Sequence, residues 1–352
     1  MGVAAARGAA PAAPGDAVAA NDAVVARLAV AANNAQGQSV ATAAKDAPRL
    51  GSLSRRAAAA GMLLALTGCG TLGVGQAPAP VPAPPAPAPL RPPRLGLALG
   101  GGAARGFAHI GVIQVLEREG IRPTLVAGTS AGSLVAVLYA SGMNGQQLEQ
   151  VALEMEEVTF TDWTLPLFNR GLLRGEALAR MVNRMVQNRP LQELALPVGV
   201  LATDLGSGAG VLFRRGDSGQ AVRASSAVPG VFTPVPIAGR DYVDGGLVAP
   251  VPVEQARAMG AERVLAVDIS SALDAGYGTD ALRVLLRTFT IMGQSINRLA
   301  LAGAETVVRP DLAGMGSADF AARQQAIAAG RTAMQHMLPQ LRQQMRPIPG
   351  GA

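Results

Sequence analysis

Three groups of residues have types and spacings that could do chemistry. The first is Gly128-Thr129-Ser130-Ala131-Gly132, which follows the short apolar run Leu125-Val126-Ala127 and precedes a helix-like run from Ala131 to Ala140. A serine in a strand, G-x-S-x-G, helix arrangement sits on a tight turn with its hydroxyl presented at the helix N-terminus. Gly128 and Gly132 are small because side chains there would strike the incoming strand and helix. The helix end favours negative charge, so an oxyanion forming beside Ser130 would be stabilised. The chemistry this suits is nucleophilic attack. A serine that only caps a helix is the competing reading.

The second group is Gly100-Gly101-Gly102-Ala103-Ala104-Arg105-Gly106, between the apolar run Leu95–Leu99 and a helix expected from about Phe107 to Glu119. Such a turn exposes successive main-chain N–H groups and makes an anion nest. A dinucleotide site would need a third glycine where Arg105 stands and an acidic residue about 20 positions on, and both are missing. An oxyanion hole needs only N–H groups near the nucleophile, and Ser130 lies one βα unit later, on an expected neighbouring parallel strand. Arg105 could add positive charge near the nest or make a structural ion pair.

The third group is the set of possible bases. The chain has two histidines. His109 falls inside the first helix and His336 in a C-terminal helix without a turn signal, so both read as structural and a carboxylate must serve. Asp204, Asp244 and Asp268 each stand at an expected strand end, and each could merely cap or pair. Gly245 and Gly246 after Asp244 permit close approach to another loop, which favours Asp244 without deciding the matter.

Four stretches together resemble the bacterial patatin-like phospholipases: Gly101–Gly106, Gly128–Gly132, Arg223-Ala-Ser-Ser-Ala-Val-Pro-Gly-Val-Phe232, and Asp244-Gly245-Gly246. The resemblance implies a Ser130–Asp244 dyad without histidine, with Ser130 as nucleophile and Asp244 as base. It implies an oxyanion hole from the amides of Gly101, Gly102 and Ala103, supported by Arg105, Gly128, Gly132, Gly245 and Gly246. Ala103 stands where the family pattern usually has glycine, and an alanine N–H donates there if its φ is negative. The implied activity is hydrolysis of carboxylic esters of lipids, phospholipid or lysophospholipid. The alternatives are a lipid acyltransferase and a non-catalytic lipid-binding lipoprotein that keeps the fold.

These residues must be positioned by alternating short apolar strands and helices, which indicates a three-layer α/β/α, patatin-like fold with a mostly parallel central sheet. The expected catalytic domain is 95–312, followed by a helical segment over 313–352 that is amphipathic from 317 to 346 and interrupted near Pro339. Between Thr159 and Leu178, Phe160, Trp163, Leu165, Leu167, Phe168, Leu172 and Leu173 suit an acyl pocket, a lipid-facing lid or ordinary core. With 49% hydrophobic residues in 352 and one cysteine, the chain can bury a sizeable core without a disulfide. Residues 1–69 carry half of the net charge of +6, and aromatics are 3%. Nucleic-acid binding therefore has little support. No His/Asp/Glu cluster has metal-ligand spacing, and no cofactor is implied.

The first 94 residues read differently. Residues 1–54 are Ala-rich, a disordered or mis-assigned leader. Residues 55–68 open with Arg55-Arg56, continue as the apolar run Ala57–Leu66, and read as a secretory signal. Leu66-Thr67-Gly68-Cys69 resembles a lipoprotein lipobox, with Cys69 as the lipidated residue. Residues 69–94 hold that cysteine and a Pro/Ala tract, an extended polyproline spacer. The expected partners are thus the lipid substrate and a membrane, through a lipid anchor. The expected place is the cell envelope, with the outer membrane favoured because Gly70 is not aspartate; a cytoplasmic protein is the alternative if residues 55–68 are no signal. The sequence says nothing of oligomeric state.

Overall fold

The structure is a computed structural model that describes residues 89–154, 173–270, 280–316 and 319–350. The leader, the signal-like segment, Cys69 and the aromatic segment up to Leu172 lie outside the described residues.

Six strands position the site. They are β1 (Leu95–Leu99), β2 (Leu125–Thr129), β3 (Val198–Asp204), β6 (Arg240–Asp244), β7 (Arg263–Val267) and β8 (Thr306–Val308), joined by the shorter β4 (Gly210–Phe213) and β5 (Val235–Ile237). The strand order is β5-β6-β3-β2-β1-β7-β8, with β4 also paired to β3. The pairs β1–β2, β1–β7, β2–β3 and β7–β8 are parallel, while β4, β5 and β6 join antiparallel. Strands β1, β2 and β3 are buried along their whole length, as near-continuous apolar runs covered on both faces must be.

Register makes the fold's central point. Strand β3 has only two edges. On one of them β2 pairs as far as Thr129↔Leu201. Strand β4 pairs Val200–Thr203 and overlaps that stretch, so β4 holds the other edge. Strand β6 pairs Ala202–Asp204 and overlaps β4, so β6 must share the first edge with β2. There β2 stops at Leu201 and Asp244 begins opposite Ala202. The residue that leaves β2, Ser130, and the residue that ends β6, Asp244, therefore meet end to end along a single strand.

The helices on one face are α1 (Ala108–Arg118), α2 (Ala131–Ala140) and α8 (Arg323–Gln344), which share one core with β1 through Leu97, Leu99, Ile113, Val137, Ile327 and Met334. On the other, α6 (Val253–Ala258) packs Val253 and Ala256 against Ala98, Ala127 and Ala266. The sequence pattern places the first helix at Phe107; the turn Ala103–Phe107 is 3-10 and the α-helix begins at Ala108. The expected interruption at Pro339 does not occur. Helix α8 runs through it, because one missing N–H is offset by Met334, Leu338 and Leu341 in the shared core. Leu90–Arg91 pairs with Ile348–Pro349, so the folded body takes in residues on both sides of the expected 95–312 span.

Candidate active site

Ser130 sits at the sharpest point of the chain, with φ 52° and ψ −124°. A non-glycine residue rarely adopts this region, which costs about 1–3 kcal/mol and persists only where its surroundings hold it. The surroundings are specific. The Ser130 N–H donates to Ser225 Oγ at 2.8 Å, and Ser225 Oγ–H donates to Leu201 O at 2.5 Å. Thr129 Oγ1–H donates to Ala249 O at 3.0 Å. A side chain on Gly128 would overlap Gly132 O, and one on Gly132 would overlap Leu99 O. Both glycines are thus fixed by close backbone approach.

Asp244 is buried, 7% exposed, at the end of β6. Its Oδ1 accepts from Gly246 N–H at 2.7 Å, and its carbonyl accepts from Thr203 Oγ1–H at 2.9 Å. The Ser130 side chain lies near enough to that carboxyl to favour its charged form. Burial pushes the Asp244 pKa up to about 6, against the Gly246 hydrogen bond and the nearby Ser130 side chain, which lower it. Gly245 passes so close to Leu201 O that any side chain would collide with it.

The glycine turn reaches the serine from β1. A Cβ built on Gly101 would lie 3.1 Å from Ser130 Cβ. Two expectations need correcting here. Gly101 N–H is already committed to Pro250 O at 2.9 Å, so Gly101 is not an available oxyanion donor; the chain uses that amide to pin the turn. Ala103 has φ 52° rather than a negative φ, because the chain must reverse there into the 3-10 turn. Among the described residues the amides of Gly102 and Ala103 make no hydrogen bond; the expected condition of a negative φ at Ala103 is not met, but the strain of a positive φ falls on the Cβ and leaves the N–H unpaired. Arg105 is buried within the turn, which its own amide closes on Gly102 O at 3.2 Å.

The other candidates have separate tasks. Asp204 holds Arg240 Nη1 at 2.8 Å and accepts from the amides of Gly206 and Ser207. Asp268 accepts from Ser270 N–H at 3.1 Å and Arg309 Nε at 3.2 Å. His109 is fully buried, and its Nε2 bonds Gly100 O at 2.8 Å. Burial pushes its pKa down to about 4, so it is a neutral tether for the glycine turn. His336 is exposed on α8. Among the described residues, no cluster of three or more His, Cys, Asp or Glu could hold a metal ion.

Ser225 is a residue whose part the sequence did not reveal. It lies in the family-like stretch Arg223–Phe232, but a buried serine with a long-range task looks like any other in a linear pattern.

The fold is the patatin-like α/β fold, and comparison with known proteins names the family. Residues 97–257 match the family model described as patatin-like phospholipase. An uncharacterised NTE family protein of Mycobacterium tuberculosis is 37% identical over 190 residues, covering 54% of this chain and 52% of that one. The human patatin-like phospholipase domain-containing protein 6 is 35% identical over 185 residues, covering 50% of this chain and 13% of that one. Among solved structures, VipD from Legionella pneumophila matches with a TM-score of 0.46 at 15% identity, covering 71% of this chain and 67% of that one. Residues 97–257 thus form a patatin-like phospholipase domain. The chain spans about half the length of the mycobacterial relative and a small part of the human one.

Proposed function

We propose that the chain is a serine esterase acting on lipid carboxylic esters, phospholipid or lysophospholipid, through Ser130 and Asp244. The observation that carries this is Ser130, on a strained backbone at the end of β2, brought by register next to a buried carboxyl at the end of β6 whose pKa is pushed up to about 6. A base near that value is ionised at neutral pH yet still takes a proton readily.

Ser130 Oγ attacks the ester carbonyl carbon while its proton passes to Asp244. The carbonyl oxygen becomes an oxyanion held by the amides of Gly102 and Ala103 and by the N-terminus of α2. Collapse breaks the carbon–oxygen bond, and the leaving alcohol takes the proton from Asp244. Water then attacks the acyl-Ser130 ester, giving its proton to Asp244, and collapse returns that proton to Ser130 Oγ as the fatty acid leaves. The glycine loop cannot be deleted by simple substitution, so the test falls on the side chains. A fluorophosphonate probe should label the wild type and not Ser130→Ala, and Ser130→Ala and Asp244→Asn should both lose hydrolysis across a phospholipid and lysophospholipid panel while staying folded. An active Asp244→Asn would remove the dyad.

Attachment to a membrane through a lipid on Cys69 is part of the same proposal. Metabolic labelling with an alkyne fatty acid should mark the chain and not its Cys69→Ser variant; equal labelling of both would remove the anchor.

A further inference from the structure

Among the described residues, one helix is covered on one side only. Helix α7 (Ala281–Ala300) has just two fully buried residues, Gly293 and Asn297. Asn297 Oδ1 accepts from Val251 N–H at 3.2 Å, and Gly293 faces Pro250. Pro250 is the residue whose carbonyl holds Gly101 N–H. At the N-terminal end Leu282 and Leu285 reach Gly230, in the loop after α5 (Ser218–Ser225). The helix is therefore seated on the rim of the Ser130–Asp244 site.

Its outer side is apolar. Val284, Ile291, Met292 and Leu299 are 46%, 48%, 49% and 81% exposed. At 3.6 residues per turn these four fall within an arc of about 100°. Thr288 and Ser295 share the arc, and their hydroxyls donate back into the helix, to Val284 O at 2.9 Å and Ile291 O at 3.3 Å. Those polar groups are satisfied without water. Arg283, Arg287 and Arg298 line one border of the arc, and Asp280 at the N-cap is the only acid of the segment.

We propose that α7 is an interfacial helix that seats the site on an anionic phospholipid surface. An apolar arc with self-satisfied hydroxyls suits the acyl boundary, and a border of arginines suits lipid phosphates at the same depth. Arg283 pairs with Asp280 at 3.1 Å and Arg298 donates to Ser295 at 3.1 Å, yet residues 280–300 hold three arginines against one aspartate, and that excess of positive charge matches an anionic surface better than a purely apolar protein partner. The inference rests on the proposed lipid esterase only in that the surface would also present the substrate.

The test uses the full chain carrying Cys69→Ser, so that no attached lipid contributes, in sedimentation with phosphatidylcholine vesicles with and without phosphatidylglycerol. Binding should be tighter with phosphatidylglycerol and should weaken with salt. Ile291→Glu with Met292→Glu should lower vesicle binding by about tenfold or more per residue. Arg298→Gln should lower it about fivefold, on the anionic vesicles alone. Hydrolysis of a soluble short-chain ester should stay unchanged in these variants. Unaltered vesicle binding in the double glutamate variant would overturn the proposal. So would a dimer of the wild type that the same variant splits, since a second copy would then cover the face. Adding Ser130→Ala separates the two proposals: vesicle binding should persist without hydrolysis. Binding through α7 in a chain that hydrolyses no ester would sink the esterase alone.

Discussion

The main-chain N–H of Ser130 is held by the hydroxyl of Ser225, 95 positions later in the chain, and that hydroxyl is itself bonded to Leu201 O. The strained turn is thereby tied to the very β3 residue at which β2 ends. Ser225→Ala leaves one part-buried amide and one buried carbonyl without this partner, at a cost of about 1–3 kcal/mol. We expect a melting temperature lower by several degrees. We also expect kcat to fall more than KM rises, since the hydroxyl of Ser130 is mispositioned while the substrate surface is intact. A Ser225→Ala enzyme with unchanged kcat would show that the turn holds itself.

In the proposed dyad, Asp244 sets the pH behaviour. Its carboxyl titrates at about 6 in the folded chain, against about 3.9 when unfolded. Activity should therefore decline as pH falls through about 6. Stability runs the other way. Between the two values the folded state binds the proton more tightly than the unfolded state, so folding is favoured at low pH and loses that contribution as pH rises through about 6. Asp244→Asn should be inactive and, on the order of 2 kcal/mol, more stable than wild type at about pH 8. The gain should vanish near pH 4. Melting curves at the two pH values check this, and an equal shift at both would contradict the buried charge.

His109 contributes with the opposite sign. Burial lowers its folded pKa to about 4, below the unfolded value of about 6.5, so the unfolded chain binds the extra proton between those values and acid weakens the fold. Its role is to hold Gly100 O. His109→Gln can keep a donor there and should retain activity to within about tenfold, with a flatter loss of stability in acid. A loss of about 10³-fold or more would instead point to an imidazole base.

Ala103 is held at φ 52°, where a Cβ costs about 1 kcal/mol. Ala103→Gly should raise stability by about 0.5–1 kcal/mol and leave the rate per active site unchanged, because the amide keeps its place. Thermal unfolding and probe-based site counting decide it. Lower stability would mean that Ala103 gains more from packing than it loses in backbone strain.

Much of this was legible in the chain. Leu95–Leu99, Leu125–Thr129 and Ala131–Ala140 are strongly patterned, and the elements fall where the pattern puts them. Glycine spacing marked the close approaches at Gly128 and Gly132 because steric demand is local. What escaped depends on distant partners. The Gly101–Pro250 hydrogen bond takes an amide that looks free in sequence. The antiparallel entry of β6 beside β2 is a matter of register, which a run such as Tyr242-Val243-Asp244 does not encode by itself. Pro339 would break an isolated helix, yet a shared core carries α8 through it. The exposure of the apolar arc of α7 shows only in the structure, where nothing in the described residues covers it.

The succession of β2 and β6 along one edge of β3 has an evolutionary corollary. The 113 residues between Ser130 and Asp244 do not measure out the gap between the two side chains; the repeat of a single strand does. Loops inserted in that interval, however long, would leave the hydroxyl and the carboxyl in register, whereas slipping β3 by one residue would part them with every loop intact. Length variation in this stretch should thus be cheap, and β3 should be the segment that tolerates it least.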